Sequence, residues 1–569
     1  MGVLCLFGFC LLAQTARKNG PSGSRQQPKS KVYLLHSDVL RKDARRPDAQ
    51  VVVGNVRFRH DSIYMYCDSA YYYDQISSFE AFSNVRMEQG DTLFLYGDHL
   101  YYDGNTQIAE MRGNVRMENR NTTLLTDSLN YDRLFNLGYY FDGGTLMDEE
   151  NVLTSDWGEY SPSTKQAVFN YNVKLVNPQF TLTSDTLHYN TATKVADIVG
   201  PSDIVSDANH IYSELGTYDT QAGKAWLYQR SVLTSDGRQL VGDTLFYDRN
   251  RGVGEAFTDM LLTDTLHKNL LSGEYGYYNE FRKYAFATRR ALAVDYSQGD
   301  SLFLHGDTLL METFHLGTDS MYREMRAFHK VRFYRTDVQG VSDSLVFSSA
   351  DSCLTLYHDP VVWHQKQQLL GERILLYMND STIDWAHIIN QALSVEQIDS
   401  VMYNQVTGKE MKAYFRDGQM RKTEVVGSVR VVYYPMDSDS TLIGMNVSET
   451  SQLDVYLENQ KIEKMVMFPK STGTLYPLTQ IPKDKRKLSN FVWFDYLRPR
   501  SKADVFSWQD KKAGDMLKKN VRGPIELPNQ HLFDSRPKPA VSVTPDSVRV
   551  TVPADTVTVN VRQALETNE

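Results

Sequence analysis

The sequence predicts an all-β fold: an elongated antiparallel β-jelly-roll, or β-taco, solenoid built from repeats of about 29 residues. Three observations predict it. A short element, Asp-Ser/Thr-Leu-x-Tyr-Asp, recurs in register along the chain. Between residues 50 and 350 only Pro162, Pro178 and Pro201 interrupt a stretch rich in Tyr, Thr, Val and Leu, as strands that must pair without breaks require. A second element, Gly-Asn-Val, alternates with the first, so each unit carries two strand-like pieces.

The first element reads DSAYYYD at Asp68, DHLYYD at Asp98, DSLNYD at Asp127, DTLHYN at Asp185 and DTLFYD at Asp243. Weaker copies start at Asp156, Glu214, Glu274, Asp307, Asp343 and Glu372. From Asp68 to Asp243 the spacing is 30 residues once and 29 thereafter, and later gaps drift as insertions at loop tips would make them. Periods of this size mean stacked arrays, in which each unit buries its apolar face only against its neighbours. One long array therefore replaces the three or four globular domains that 569 residues would otherwise suggest.

The second element reads Gly54-Asn55-Val56, Ser83-Asn84-Val85 and Gly113-Asn114-Val115, with degenerate copies at Tyr171, His329 and Gly427. Gln89-Gly90-Asp91 and Asp103-Gly104-Asn105 are hairpin signals. Gly97 and Gly113 fall in the middle of their strands, where glycine marks a corner. Each strand then gives half its length to one sheet and half to a facing sheet. Two such strands per unit, about 4.8 Å apart, make a rod on the order of 100 Å long.

Side-chain alternation assigns two inward columns. One holds Leu100, Tyr102, Leu129, Tyr131, Leu187, Tyr189, Leu245 and Tyr247; the other holds Val85, Met87, Val115, Met117, Val173 and Leu175. Arg57, Arg86, Arg112 and Arg116 face water, and Asp98 sits at the sheet corner. The result is an apolar-lined trough. It either closes as a dry core between sheets about 10 Å apart or stays open along one side as a groove for acyl chains.

The pairing of Gly54-Asn55-Val56 and Gly113-Asn114-Val115 with the elements Asp98 to Asp103, Asp127 to Asp132 and Asp243 to Asp248 resembles the OstA/LptA family of periplasmic β-jelly-roll proteins. The resemblance covers roughly residues 30–480, and the number of units resembles that of the long OstA-like proteins of Bacteroidetes-type bacteria. It implies lipopolysaccharide transport, with lipid A acyl chains lying against the two columns and Val56. It also implies inner- and outer-membrane transport components as partners and a periplasmic location in association with the outer membrane, while exposed terminal strands favour end-to-end self-association. No enzymatic activity, cofactor, catalytic residue or metal site is expected. The competing expectation is an exported β-solenoid that binds or cleaves polysaccharide, since carboxylates abound.

Other residue types point to less. Stacked Asp side chains suit local turn capping better than calcium, because the nine-residue period of calcium β-rolls is missing. His358, His364 and His387 lie within one stretch but have no metal-ligand spacing. Cys67 and Cys353 are free or distantly paired thiols. A net charge of −9 argues against nucleic acid as a partner.

Residues 1–16 read as a signal peptide with its basic start missing, or as an apolar terminus, and 17–30 as a polar linker. The β-repeat array is expected over 31–482. From Lys483 to Arg522 twelve basic residues face five acidic ones, a net +7 that leaves −16 elsewhere. This segment also holds the aromatic patch Phe491, Trp493, Phe494 and Tyr496. It is either a basic linker with a small packed plug or a docking segment for a partner or for lipid A phosphates. Residues 523–569 read as a flexible tail.

Overall fold

The computed structural model describes residues 31–516, except 207–208, 298, 380–381, 438–440, 459–460 and 513. The expected signal peptide, the polar linker, the flexible tail and the last residues of the basic segment lie outside the described residues. The described chain forms one antiparallel sheet of 36 strands running from Tyr33 to Pro477. The regular part consists of strands of eleven or twelve residues, among them Ser78–Gln89, Leu93–Asp103, Ile108–Asn119 and Thr122–Asp132. Each strand pairs with the one before and the one after.

The long strands fold over near their middle, alternate ones at the second motif. In Ile108–Asn119 the pairing jumps from Arg112 to Val115 and leaves Gly113 and Asn114 out of register. Both have left-handed backbone, with φ of 74° and 48°. The same two-residue left-handed step occurs at Gly54-Asn55, Ser83-Asn84, Tyr171-Asn172 and Gly427-Ser428. Glycine and asparagine are the residues that adopt this conformation most readily, which is why the motif is Gly-Asn. Gly97 serves the corner differently. Its φ is not positive; it is glycine because a Cβ there would lie 2.6 Å from Met111 Cγ.

Folding at the corners turns the single sheet into two facing walls, and the inward residues merge into one apolar core that extends from Val32 to Val455. Cys67 and Cys353 are free and buried, and burial pushes the Cys67 thiol up to about 12. Arg57, Arg86 and Arg116 face water as expected, whereas Arg112 is half-buried and donates to the Met111 and Leu129 carbonyls at 2.8 and 3.1 Å.

The basic aromatic segment packs as a strap across the outside of the wall. Val492, Phe494 and Leu497 bury against Val341, Val361, Trp363, Leu370, Leu393 and Val395. These side chains alternate with Val362, Leu369 and Ala392 of the inner core, so they belong to the opposite face of the same strands. Glutamines on that face hold the strap. Gln368 donates to the Val492 carbonyl at 3.1 Å and accepts from the Phe494 amide at 2.7 Å. Gln405 likewise donates to the Arg486 carbonyl at 2.9 Å and accepts from the Leu488 amide at 2.9 Å. Each amide satisfies two backbone groups of an extended peptide, replacing the partners a strand would supply.

Candidate functional site

The two halves of each strand end in two rows of turns, which face each other across the mouth of the fold. Turns such as Asn119–Thr122 and Asp148–Asn151 form one row; Asp103–Ile108 and Asn190–Val195 belong to the other. The tyrosines of most Asp-x-Leu-x-Tyr-Asp elements stand at the second row and reach to the first. The Tyr102 hydroxyl lies 2.6 Å from His60 Nδ1. Tyr131 donates to Gln89 Oε1 at 3.0 Å, and Tyr160 to Asn119 Oδ1 at 3.2 Å. Tyr189 donates to Asp148 Oδ2 at 2.8 Å and accepts from Asn151 Nδ2 at 2.9 Å. Asn209 donates to Tyr247 at 2.7 Å, and Arg238 to Tyr278 at 3.3 Å.

Charged side chains reinforce the tyrosine seam. Lys194 reaches across to the buried Asp148 carboxylate at 2.7 Å, and Arg133 reaches Asp61 at 2.9 Å. Lys283 pairs with Asp236 at the far end. Burial pushes the Tyr102 and Tyr218 hydroxyls up to about 12, so both stay neutral near pH 7. At about 1 kcal/mol for each neutral bond, and more for those to charged groups, unzipping several neighbouring units together is costly. From His60 to Lys283 the side that the sequence left open is bridged.

The fourteen inward candidates are Val56, Val85, Met87, Leu100, Tyr102, Val115, Met117, Leu129, Tyr131, Val173, Leu187, Tyr189, Leu245 and Tyr247. All of them belong to the one inner core, and none is more than 3% exposed. They pack against one another behind the seam. Unfilled interior space of ligand size lies further along the chain, at residues the sequence reading did not single out.

The larger space is a chamber of about 460 Å³ towards the C-terminal end, lined by Met411, Met420, Val425, Val431, Val455 and Met465. His364, Lys366, Gln367 and Glu396 lie at its rim. Burial holds the His364 ring below its ordinary value. The smaller space, about 260 Å³, opens beside the last bonds of the seam. A broader depression of about 770 Å³ is polar and lies on the outer corner ridge around Asn84, Arg86, Asp98, Asn114 and Arg116. The methionines offer adaptable apolar walls, because an unbranched thioether refills irregular space as a guest changes.

The Asp repeat has two structural jobs. The first Asp of the motif accepts the corner Asn: Asn84 to Asp68 at 2.7 Å, Asn114 to Asp98 at 2.6 Å and Asn172 to Asp156 at 2.7 Å. The last Asp caps its turn, as Asp103 does for the Asn105 amide at 2.8 Å. Among the described residues no cluster of His, Cys, Asp and Glu is arranged to hold a metal ion. The histidines of the 358–387 stretch take separate partners: His387 bonds Glu410 at 3.1 Å, and His358 stands 3.7 Å from Asp343.

Residues 29–185 match the family model described as OstA-like protein. That stretch of the chain is therefore OstA-like, in agreement with its paired motifs. No curated protein matches the chain.

Proposed function

We propose that this OstA-like chain is a non-enzymatic carrier of lipopolysaccharide in the periplasm, holding lipid A acyl chains between its two walls on their way to the outer membrane. The observation that carries this reading is the unbroken apolar core from Val32 to Val455, which loosens into a chamber of about 460 Å³. A fold built only for rigidity gains nothing from unfilled apolar space, which costs packing contacts. A guest with a hydrocarbon tail recovers them, at about 25 cal/mol per Å² of apolar surface kept from water.

Transport on this reading is passive. The array supplies a low-polarity path, and an energised inner-membrane partner supplies the work. The fourteen residues behind the seam form the wall of that path, and the methionine-lined chamber is where tails have room to reside. Inner- and outer-membrane transport components are the expected partners at the two ends, with end-to-end pairing of exposed terminal strands as the natural means of contact.

Depleting the protein in its host and measuring lipopolysaccharide at the cell surface tests the reading. Surface lipopolysaccharide should fall while it accumulates in the inner membrane. Unchanged surface display would contradict it.

A further inference from the structure

We propose that the slot just beyond the tyrosine seam is a side portal that takes up the hydrocarbon tail of an amphiphile and leaves its polar head at the rim. The proposal rests on the lipid-carrier reading above and adds a place of uptake other than the ends of the rod.

The seam bridges the mouth of the fold from the Tyr102–His60 contact to the Arg238–Tyr278 and Asp236–Lys283 pairs. Immediately past those pairs the mouth holds a cavity of about 260 Å³. Arg238, Tyr278 and Lys283 form its near wall, so the cavity begins where the zipper ends. Its floor consists of Leu262, Leu271, Ala285 and Ala293, all members of the inner core, with Met311 and Met325 packed partly exposed against them. Met311 and Met325 are direct neighbours on paired strands and project to the same face. Glu312, Arg323 and Glu324 ring the opening.

This arrangement suits one chemical class. A site with an apolar floor continuous with the core, and with charges of both signs on one wall and around its lip, accepts a flexible alkyl chain and keeps a hydrated head outside. Behind the seam, a tail could enter sideways only by breaking buried bonds such as those of Tyr189, Asp148 and Lys194. At the portal those bonds are not in the way.

The test titrates the full chain with a fluorescent single-chain fatty acid. Wild type should bind at two classes of site, the portal and the C-terminal chamber. Met311→Trp should fill the portal and weaken one class about tenfold, and Met325→Trp on the neighbouring strand should do the same. Met311→Ala, which enlarges the space, should preserve both classes. Met420→Trp in the chamber should remove the other class and leave the portal intact. Two unchanged classes in well-folded Met311→Trp or Met325→Trp would overturn the portal. So would a single class that is lost only in Met420→Trp, although the carrier reading would survive that result. A wild-type chain that binds no fatty acid would overturn both.

Discussion

The Asn114 side-chain amide donates to the Asp98 carboxylate at 2.6 Å, across sixteen residues of sequence, and so joins the two repeated motifs at one corner of the fold. The left-handed step that turns the strand presents the amide, and the start of the Asp-x-Leu-x-Tyr-Asp element presents the carboxylate. The two motifs are thus a clamp between neighbouring strands, repeated by Asn55 with Asp38, Asn84 with Asp68 and Asn172 with Asp156.

The clamp predicts a measurable coupling. Asn114→Ala and Asp98→Ala should each destabilise, and a double-mutant cycle read by denaturant unfolding should give a coupling of about 1 kcal/mol, modest because both groups are solvated. A coupling near zero would show that the corner is held by backbone conformation alone. Gly113→Ala should cost more than about 1 kcal/mol, since φ is 74° and the new Cβ would lie 2.8 Å from Asp98 Oδ2.

The seam predicts an asymmetry between breaking and replacing its ion pair. Lys194→Met leaves the buried Asp148 carboxylate facing Tyr189 and Asn151 without its cation, and should cost about 3 kcal/mol. Adding Asp148→Asn to Lys194→Met should recover much of that loss in thermal unfolding. A double variant no more stable than Lys194→Met would argue against the pair as the source.

The strap predicts losses from residues far apart in sequence. Phe494 is fully buried against the outer face, so Phe494→Ala should cost about 3–5 kcal/mol. Gln368→Ala leaves the Val492 carbonyl and the Phe494 amide without their partner and should cost about 1–3 kcal/mol. Hydrogen exchange should then rise at both residues 486–506 and the strands beneath. Exchange confined to the strap would show that it does not brace the wall.

Two histidines predict a pH effect. Burial holds His305, whose ring centroid lies 4.9 Å from that of Phe506 in a tilted contact, and His364 at the chamber rim below their ordinary value. Below about pH 6.5 the unfolded chain therefore binds more protons than the folded one, so stability falls as pH falls through that range. The melting midpoint should drop between pH 7.5 and 5.5, and His305→Gln with His364→Gln should flatten that difference. An equal drop in the double variant would assign the effect elsewhere.

Much of this fold was legible in the sequence because strand alternation and a fixed period are local signals. Val85, Met87, Leu100 and Tyr102 could be placed inward from spacing alone, and Gly113 could be placed at a corner. The seam was not legible, because Tyr189 and Asp148 are brought together by how one row of turns faces another, which no periodicity encodes. Gln368 and Gln405 carry no local signal that sets them apart from other polar strand residues, because their partners come from residues 486–494. The chamber was missed because past residue 380 strands such as Ile383–Gln397 and Tyr403–Arg416 lengthen and the motif fades. Met411, Met420 and Met465 there repeat nothing found upstream.

On the proposed reading, acyl chains lie between the walls. Site-specific photo-crosslinking in cells tests it most directly, with the reactive side chain placed at Met420 in the chamber, at Tyr131 behind the seam and at Arg116 on the outside. Lipopolysaccharide adducts should form at Met420 and Tyr131 and be absent at Arg116. Adducts at Arg116 with none at the two inward positions would contradict the account.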